Sequence, residues 1–451
     1  MDTALIVLAA ALVCGSLAVF CFLRPASAML VLTVMLIWVP VDLGGKVGDL
    51  PRLGPTRLVL AAFLFGFALN AMLNSSGSRV SARPRLLVLP VSLYLASQIL
   101  SGLFSVAPLE SVYAIVDQFC TPFALFYIVA GLVKQSGFRS RLERVVFIGT
   151  VGVCLLALYE AISLHNPLMR FIPDAEMAFR GGLPRVRSTF FHPIALGAYL
   201  GLVYPFYLAR LADTRHARRL VIAAALGFVL VTSLLTVSRG PWIALMLGTV
   251  AIAAVWPRTS RQRLALAAVA TGLAALCVAT LGTSTLAIGR LVNPSELNLG
   301  TTVEEASSEY YRIALVQGVT ERLTGARWLV GFGPGSFLAA DVNVVYDRAR
   351  HTLTAPDSHY AKVLLESGLV GLAAFLVLLG AATRVCVRAV RRTIGVNRMV
   401  ATACLASTMG FMWSNVTASL FLVYPLAFLF WAAVAIAGSL EGGNETRRAG
   451  A

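Results

Sequence analysis

The sequence predicts an all-α protein that crosses a membrane many times. Three observations carry that expectation. The 451 residues are 58% hydrophobic and 13% charged, with a mean hydropathy of +0.81; a soluble globular chain is about half apolar and about a quarter charged. Apolar runs long enough to cross a bilayer recur along the whole length. Basic residues collect in every second loop between those runs.

Taken in order, the predicted spans are 3–23, 27–43, 58–74, 86–105, 112–133, 145–164, 191–209, 219–237, 241–256, 264–284, 361–383, 399–416 and 418–438. They make roughly 12 or 13 helices, because the Arg24-Pro25 joint reads either as a break between two helices or as one broken hairpin. Arg79, Arg83 and Arg85 lie in one basic loop, Lys134, Arg139, Arg141 and Arg144 in the next, and Arg210, Arg215, Arg218 and Arg219 in a third. Arg258, Arg261 and Arg263, then Arg384, Arg388, Arg391, Arg392 and Arg398, continue the series. This is the positive-inside pattern of a bacterial-type inner membrane protein, so the net charge of +16 reads as topology and not as a nucleic-acid surface.

Parity then places 43–57, 106–111, 165–190, 238–240, 285–360 and the turn near Asn415 on the outer side, with MDTAL outside and Arg447-Arg448 inside. The longest of these, 285–360, holds six Arg against eight Asp and Glu and lacks the cytoplasmic bias. The chain therefore reads as one integral membrane domain, 1–451, with a large periplasmic loop at 285–360. The first helix has no basic n-region and no A-x-A site, which reads as a retained span. Seven cysteines lie in or beside apolar segments, so neither a disulfide framework nor a cysteine metal site is expected.

Four outward places concentrate polar groups. In GGLPRVRSTFFHPIALGAY, residues 181–199, Arg185 and Arg187 precede a helix that begins near His192-Pro193. Proline in a first turn sacrifices no hydrogen bond, and the free N–H groups there favour anions; a purely structural reading has Thr189 and His192 capping the helix. In LTVSRGPWIAL, residues 235–245, Arg239 sits in a turn too short to hide a charge, either snorkelling or meeting an anion.

The third place, SSEYYRIALVQGVTERLTGARWLVGFGPGSF, residues 307–337, carries Glu309 and Arg312. Its apolar positions Ile313, Leu315, Val316, Val319 and Leu323 suit an amphipathic helix lying outside or on the membrane surface. The glycine turn that follows resembles half of a nucleotide-binding loop but has no βαβ context. In TAPDSHYAKVLLESGLVGLAAF, residues 354–375, Asp357, Ser358 and His359 stand before a helix, with Asp357 or Ser358 a natural N-cap. Within the spans, Asp117 and Glu160 are candidates for pairing with an arginine.

These four places, in this order, resemble the O-antigen ligase/polymerase family, the Wzy- and WaaL-like integral membrane glycosyltransferases of the GT-C kind. The resemblance rests on RVRSTFFHPIALGAYLGLVYPF, LLTVSRGPWIAL, YYRIALVQGVTERLTGARWLVGFGPGSF and DSHYAKVLLESGLVGL, from about residue 185 to residue 372. It implies a GT-C-like fold with a large, partly helical periplasmic loop and an active site facing the periplasm. It also implies an undecaprenyl-diphosphate-linked glycan as donor, an acceptor glycan or glycolipid, inversion at the anomeric carbon, and no cofactor or metal. Membrane lipids and other polysaccharide-assembly proteins are the remaining candidate partners.

The residues suit that chemistry. A lipid diphosphate leaves without a proton if positive charge surrounds it, and arginine forks match phosphate oxygens. Arg185, Arg239 and Arg312 match the family's arginine positions, with Arg187 nearby as a reserve; His192, Glu309 and Ser358 are further candidates. The acceptor hydroxyl needs a base or hydrogen-bond acceptor. Ligases carry a histidine where this chain has Asp357, eleven residues before Gly368; His359 stands two residues later, and Ile194 replaces an asparagine in the FHPI stretch. Asp357, His359 and Arg239 are thus the catalytic candidates, and the aspartate looks more like a polymerase than a ligase. A ligase is the alternative within that chemistry. A lipid-linked sugar flippase is the alternative of another class, though no internal repeat of helix groups is evident.

Overall fold

The computed structural model describes residues 3–39, 55–73, 85–169, 178–180, 183–190, 192–213, 216–255, 269, 271–272, 314–346, 349–353 and 356–448. Most of the predicted span 264–284, together with Glu309 and Arg312, lies outside the described residues. The helices are α1 Thr3–Leu23, α2 Pro25–Trp38, α3 Pro55–Leu73, α4 Arg85–Leu103, α5 Pro108–Leu132, α6 Phe138–Ser163, α7 Pro193–Asp213 and α8 His216–Leu235. They continue with α9 Arg239–Val255, α10 at 314–322, α11 Arg327–Val330, α12 His359–Arg392, α13 Gly395–Ser414 and α14 Tyr424–Arg448.

Each predicted span other than 264–284 coincides with one of these helices. Among the described residues, seven helices are long and apolar enough to cross a membrane, and α2 and α9 are among the shorter apolar ones. Four helices, α2, α3, α5 and α7, begin with proline, whose fixed φ suits a first helical turn. The chain is an all-α polytopic membrane protein.

Two antiparallel hairpins depart from that uniformity: β1 Ala178–Arg180 with β2 Leu183–Arg185, and β3 Asn343–Tyr346 with β4 Ala349–Thr352. Strands this short show no alternation in sequence. Both lie in the two long loops, since an open strand edge is not tolerated within lipid.

α13 is packed against α7, α9, α12 and α14. Because protein surrounds it, it carries buried Thr402, Ser407, Thr408 and Ser414. Thr402, Thr408 and Ser414 return their hydroxyl bonds to carbonyls one turn back, while Ser407 Oγ crosses to Leu202 O of α7 at 2.6 Å.

In α5 a π turn, Ile115–Cys120, precedes Pro122, which cannot donate to the turn before it. Asp117 in this turn meets Arg57 at 3.3 Å and accepts from the Tyr424 hydroxyl, so its expected arginine is on α3. Its neighbour Gln118 accepts from Lys362 Nζ at 3.3 Å, and Lys362 pairs with Glu366 one turn on. The Lys362 and Glu366 side chains are 5% and 2% exposed, so their charges are balanced within the protein rather than by water.

A 34-residue helix such as α12 is ~51 Å long, well beyond the ~30 Å apolar core of a bilayer. Gly368, with φ 64° and ψ −167°, divides it. The break frees the carbonyls of Leu365 and Glu366, which accept from Phe332 N at 3.0 Å and Gly333 N at 2.8 Å. A Cβ at Gly368 would stand 2.3 Å from the Leu329 carbonyl, and one at Gly331 2.4 Å from that of Glu366. The GFGPGSF turn is therefore seated in the kink of α12 as a backbone plug.

The short first limb of α12 belongs with the loop as much as with the bundle. Ala361 and Leu365 close a second core with Leu315, Val319, Leu323, Phe332 and Phe337. The predicted amphipathic helix thus buries the i, i+4, i+8 row in protein, while Val316, expected on the same face, is exposed.

Candidate functional site

The α8–α9 turn, Thr236 to Ser238, has a left-handed residue at Val237, φ 47°. Trp242 pins it from α9, its indole N–H donating to Ser233 O at 2.9 Å. Arg185, on β2, grips it from the other side: Nε donates to Thr236 O at 3.1 Å and Nη2 to Ser238 Oγ at 2.9 Å. The β2 backbone joins as well, Val186 N donating to Leu235 O at 3.3 Å. Arg185 is therefore built into the turn that presents Arg239, and the next residue, Arg239, opens α9 half-buried. A cation in a helix's first turn faces the positive end of the macrodipole, an arrangement that an anion relieves.

Glu160 shapes the segment after Arg185. It is fully buried near the end of α6, and its Oε2 accepts from Arg187 N at 3.1 Å and Ser188 N at 2.7 Å. Asn166 Nδ2 donates to Ser188 O at 2.8 Å, fixing the same turn. Arg187 is 9% exposed and directed into protein beside Glu160, whereas Arg185 is half-buried. Glu160 meets its arginine through the backbone amide as well as through charge.

His192 precedes α7 and caps it, Nδ1 accepting from Ile194 N at 3.2 Å. Although its surface is open to solvent, dense surrounding protein first, and the Arg185 and Arg187 guanidiniums second, hold the imidazole down to about 4. A neutral His192 beside those arginines leaves their charge for an anion.

At the start of α12, Ser358 is the N-cap, its side chain accepting from Ala361 N at 3.4 Å. That leaves Asp357 just outside the cap, half-buried. His359 turns inward, 3% exposed, with its ring 5.2 Å from Phe375 and 5.1 Å from Phe421. It lines a cavity with Tyr94, Gln118, Phe123 and Trp431, and its buried Nδ1 has no hydrogen-bond partner among the described residues. Adjacent polar residues thus have opposite surroundings.

The turn between α13 and α14, residues 415–419, joins these parts. On one side a Cβ at Gly240 would fall 2.8 Å from Thr417 Oγ1, so the turn lies directly on the residue after Arg239. On the other, His359 N donates to Asn415 O at 3.0 Å and Ser419 Oγ to Pro356 O at 2.7 Å. Arg185, Arg239 and the Asp357 segment are linked through continuous contacts, while Arg187 and His359 face the interior. Arg312 and Glu309 lie outside the described residues. The sequence reading missed the bridging role of 415–419; its one signal was SNVTAS, a polar interruption between two apolar runs. The donor set at the surface is cationic and suits a phosphate-bearing ligand.

Residues 221–376 match the family model described as O-antigen ligase. That stretch, less than half of the chain, is similar to an O-antigen ligase domain. The domain contains Arg239, Asp357, Ser358, His359 and the Gly368 kink; Arg185, Arg187, His192 and the 415–419 turn stand outside the matched residues. No curated protein matches the chain.

Proposed function

We propose that the chain is a polysaccharide polymerase that transfers glycan repeat units from an undecaprenyl diphosphate to an acceptor sugar hydroxyl. The observation that carries this reading is the link from Arg185 through Ser238 to Arg239, with the Asp357 segment held across the 415–419 turn. The diphosphate oxygens bind Arg239, with Arg185 and Arg312 in support. The acceptor oxygen attacks the anomeric carbon from the face opposite the diphosphate. The bond from that carbon to the diphosphate oxygen breaks, its electron pair stays on the diphosphate, and the hydroxyl proton passes to the Asp357 carboxylate. Inversion follows from one displacement. Arginine charge stabilises the leaving group, and the displacement draws on no metal.

The site end of the helices is the end that parity puts outside, which supports a periplasmic site in a bacterial inner membrane. The family description itself favours a second reading, ligation of finished glycan onto a glycolipid or protein. Glycans from a deletion strain separate the two. Single repeat units accumulating on lipid diphosphate support the polymerase, and long polymer accumulating there overturns it in favour of the ligase.

A further inference from the structure

The two halves of the site come from distant parts of the chain, Arg239 from the start of α9 and Asp357 from the segment before α12. What lies between them is the 415–419 turn, outside the family-matched residues. Its anchor is Asn415, fully buried and bonded through both its amide nitrogen and its amide oxygen. Nδ2 donates to Phe411 O at 2.8 Å, closing the end of α13. Oδ1 accepts from Leu420 N at 3.0 Å and Phe421 N at 3.3 Å, folding the chain into the 3-10 turn Leu420–Leu422. The backbone O accepts from His359 N, and Ser419 Oγ reaches Pro356 O. The two contacts grip Pro356 and His359, one on each side of Asp357 and Ser358.

The opposite face of the turn rests on α9. Thr417 fills the space that any side chain at Gly240 would need, so the turn cannot shift toward Arg239 or away from it without losing packing. Side chains bonded to their own local backbone alone would make this an ordinary capped turn. Here two of the bonds leave the turn for a segment about 60 residues earlier in the chain.

We propose that Asn415 and Ser419 are positioning residues: they clamp the Asp357 segment at a set span from Arg239, so that the acceptor-side carboxylate meets a donor held by the arginines. This rests on the reading of Arg239 and Asp357 given above. A displacement of about 1 Å at such a site costs on the order of 10² in rate.

The test uses the full chain in nanodiscs with lipid-diphosphate-linked glycan as substrate. Asn415→Ala and Ser419→Ala are each expected to lower the turnover number, by about 10² and about tenfold, with the donor KM unchanged. Ser419→Thr, which keeps the hydroxyl, restores turnover; Ser419 is only half-buried, so its variants fold even if Asn415→Ala does not. A second readout is independent of chemistry: amide hydrogen exchange in residues 356–362 quickens in both alanine variants. Unchanged exchange there overturns the clamp. Quicker exchange with turnover within roughly twofold of the parent, where Arg239→Ala is inactive, overturns the positioning role. An active Arg239→Ala instead overturns the reading of the site, and the clamp then stands or falls on exchange.

Discussion

Arg185 Nη2 donates to Ser238 Oγ at 2.9 Å, tying the hairpin before α7 to the residue before Arg239. The contact makes one arginine the support of another. It gives Arg185 a holding role, distinct from the anion-binding role proposed for Arg239.

Arg239→Ala is expected to lower polymer formation by on the order of 10²–10³ while leaving the amount of protein in the membrane intact. Arg185→Lys keeps the charge but loses the fork that reaches Thr236 and Ser238, so it lowers activity less, with a raised donor KM. Polymer chain analysis and immunoblotting of the same membranes check both. Full activity in Arg239→Ala leaves snorkelling as the account of that charge.

Asp357 and His359 differ in burial, and their variants should differ in kind. Asp357→Asn removes a half-buried acceptor and abolishes turnover with little change in thermal unfolding. His359→Ala empties a packed aromatic site and lowers stability by about 2 kcal/mol or more, with a milder effect on turnover per folded molecule. Thermal unfolding beside single-turnover kinetics distinguishes them. The reverse order of catalytic damage favours a histidine-dependent ligase.

His192 carries a pH dependence. Its imidazole lies near 4 in the folded protein against 6.5 unfolded, so the unfolded chain takes up the proton first as pH falls. The stabilising contribution is whole above about 6.5 and declines as pH drops from there toward about 4. Histidine carbon NMR, with His192→Gln assigning the resonance among the five histidines, should show the low midpoint. In Arg185→Gln the midpoint rises, because one of the charges that disfavour the imidazolium is gone.

Gly368→Ala places a methyl group 2.3 Å from the Leu329 carbonyl, at a φ that L side chains rarely adopt. The kink cannot open toward a straight helix without expelling the Phe332 and Gly333 amides. The expected result is undocking of the 329–335 turn, seen as rapid proteolysis there and reduced protein in the membrane. Gly380→Ala, in the same helix with open space around it, should be silent.

Local pattern was enough for much of this protein. Twenty-residue apolar runs mark the helices, because hydrophobic thickness acts on each segment separately. The same locality made the Ser358 cap and the Pro193 start readable from their neighbours.

Only the tertiary structure decided what those residues meet. Asp357 and His359 are two positions apart, and nothing local says that aromatic rings from α12 and the 3-10 turn enclose His359 and leave Asp357 half-buried. Gly331 and Gly368 explain one another only across the docked backbone, and Arg57 finds Asp117 between helices. The 415–419 turn is the extreme case. Its bonds close over distances along the chain that periodicity cannot span, because a hydrogen-bond partner is set by where whole helices pack and not by the few residues around it.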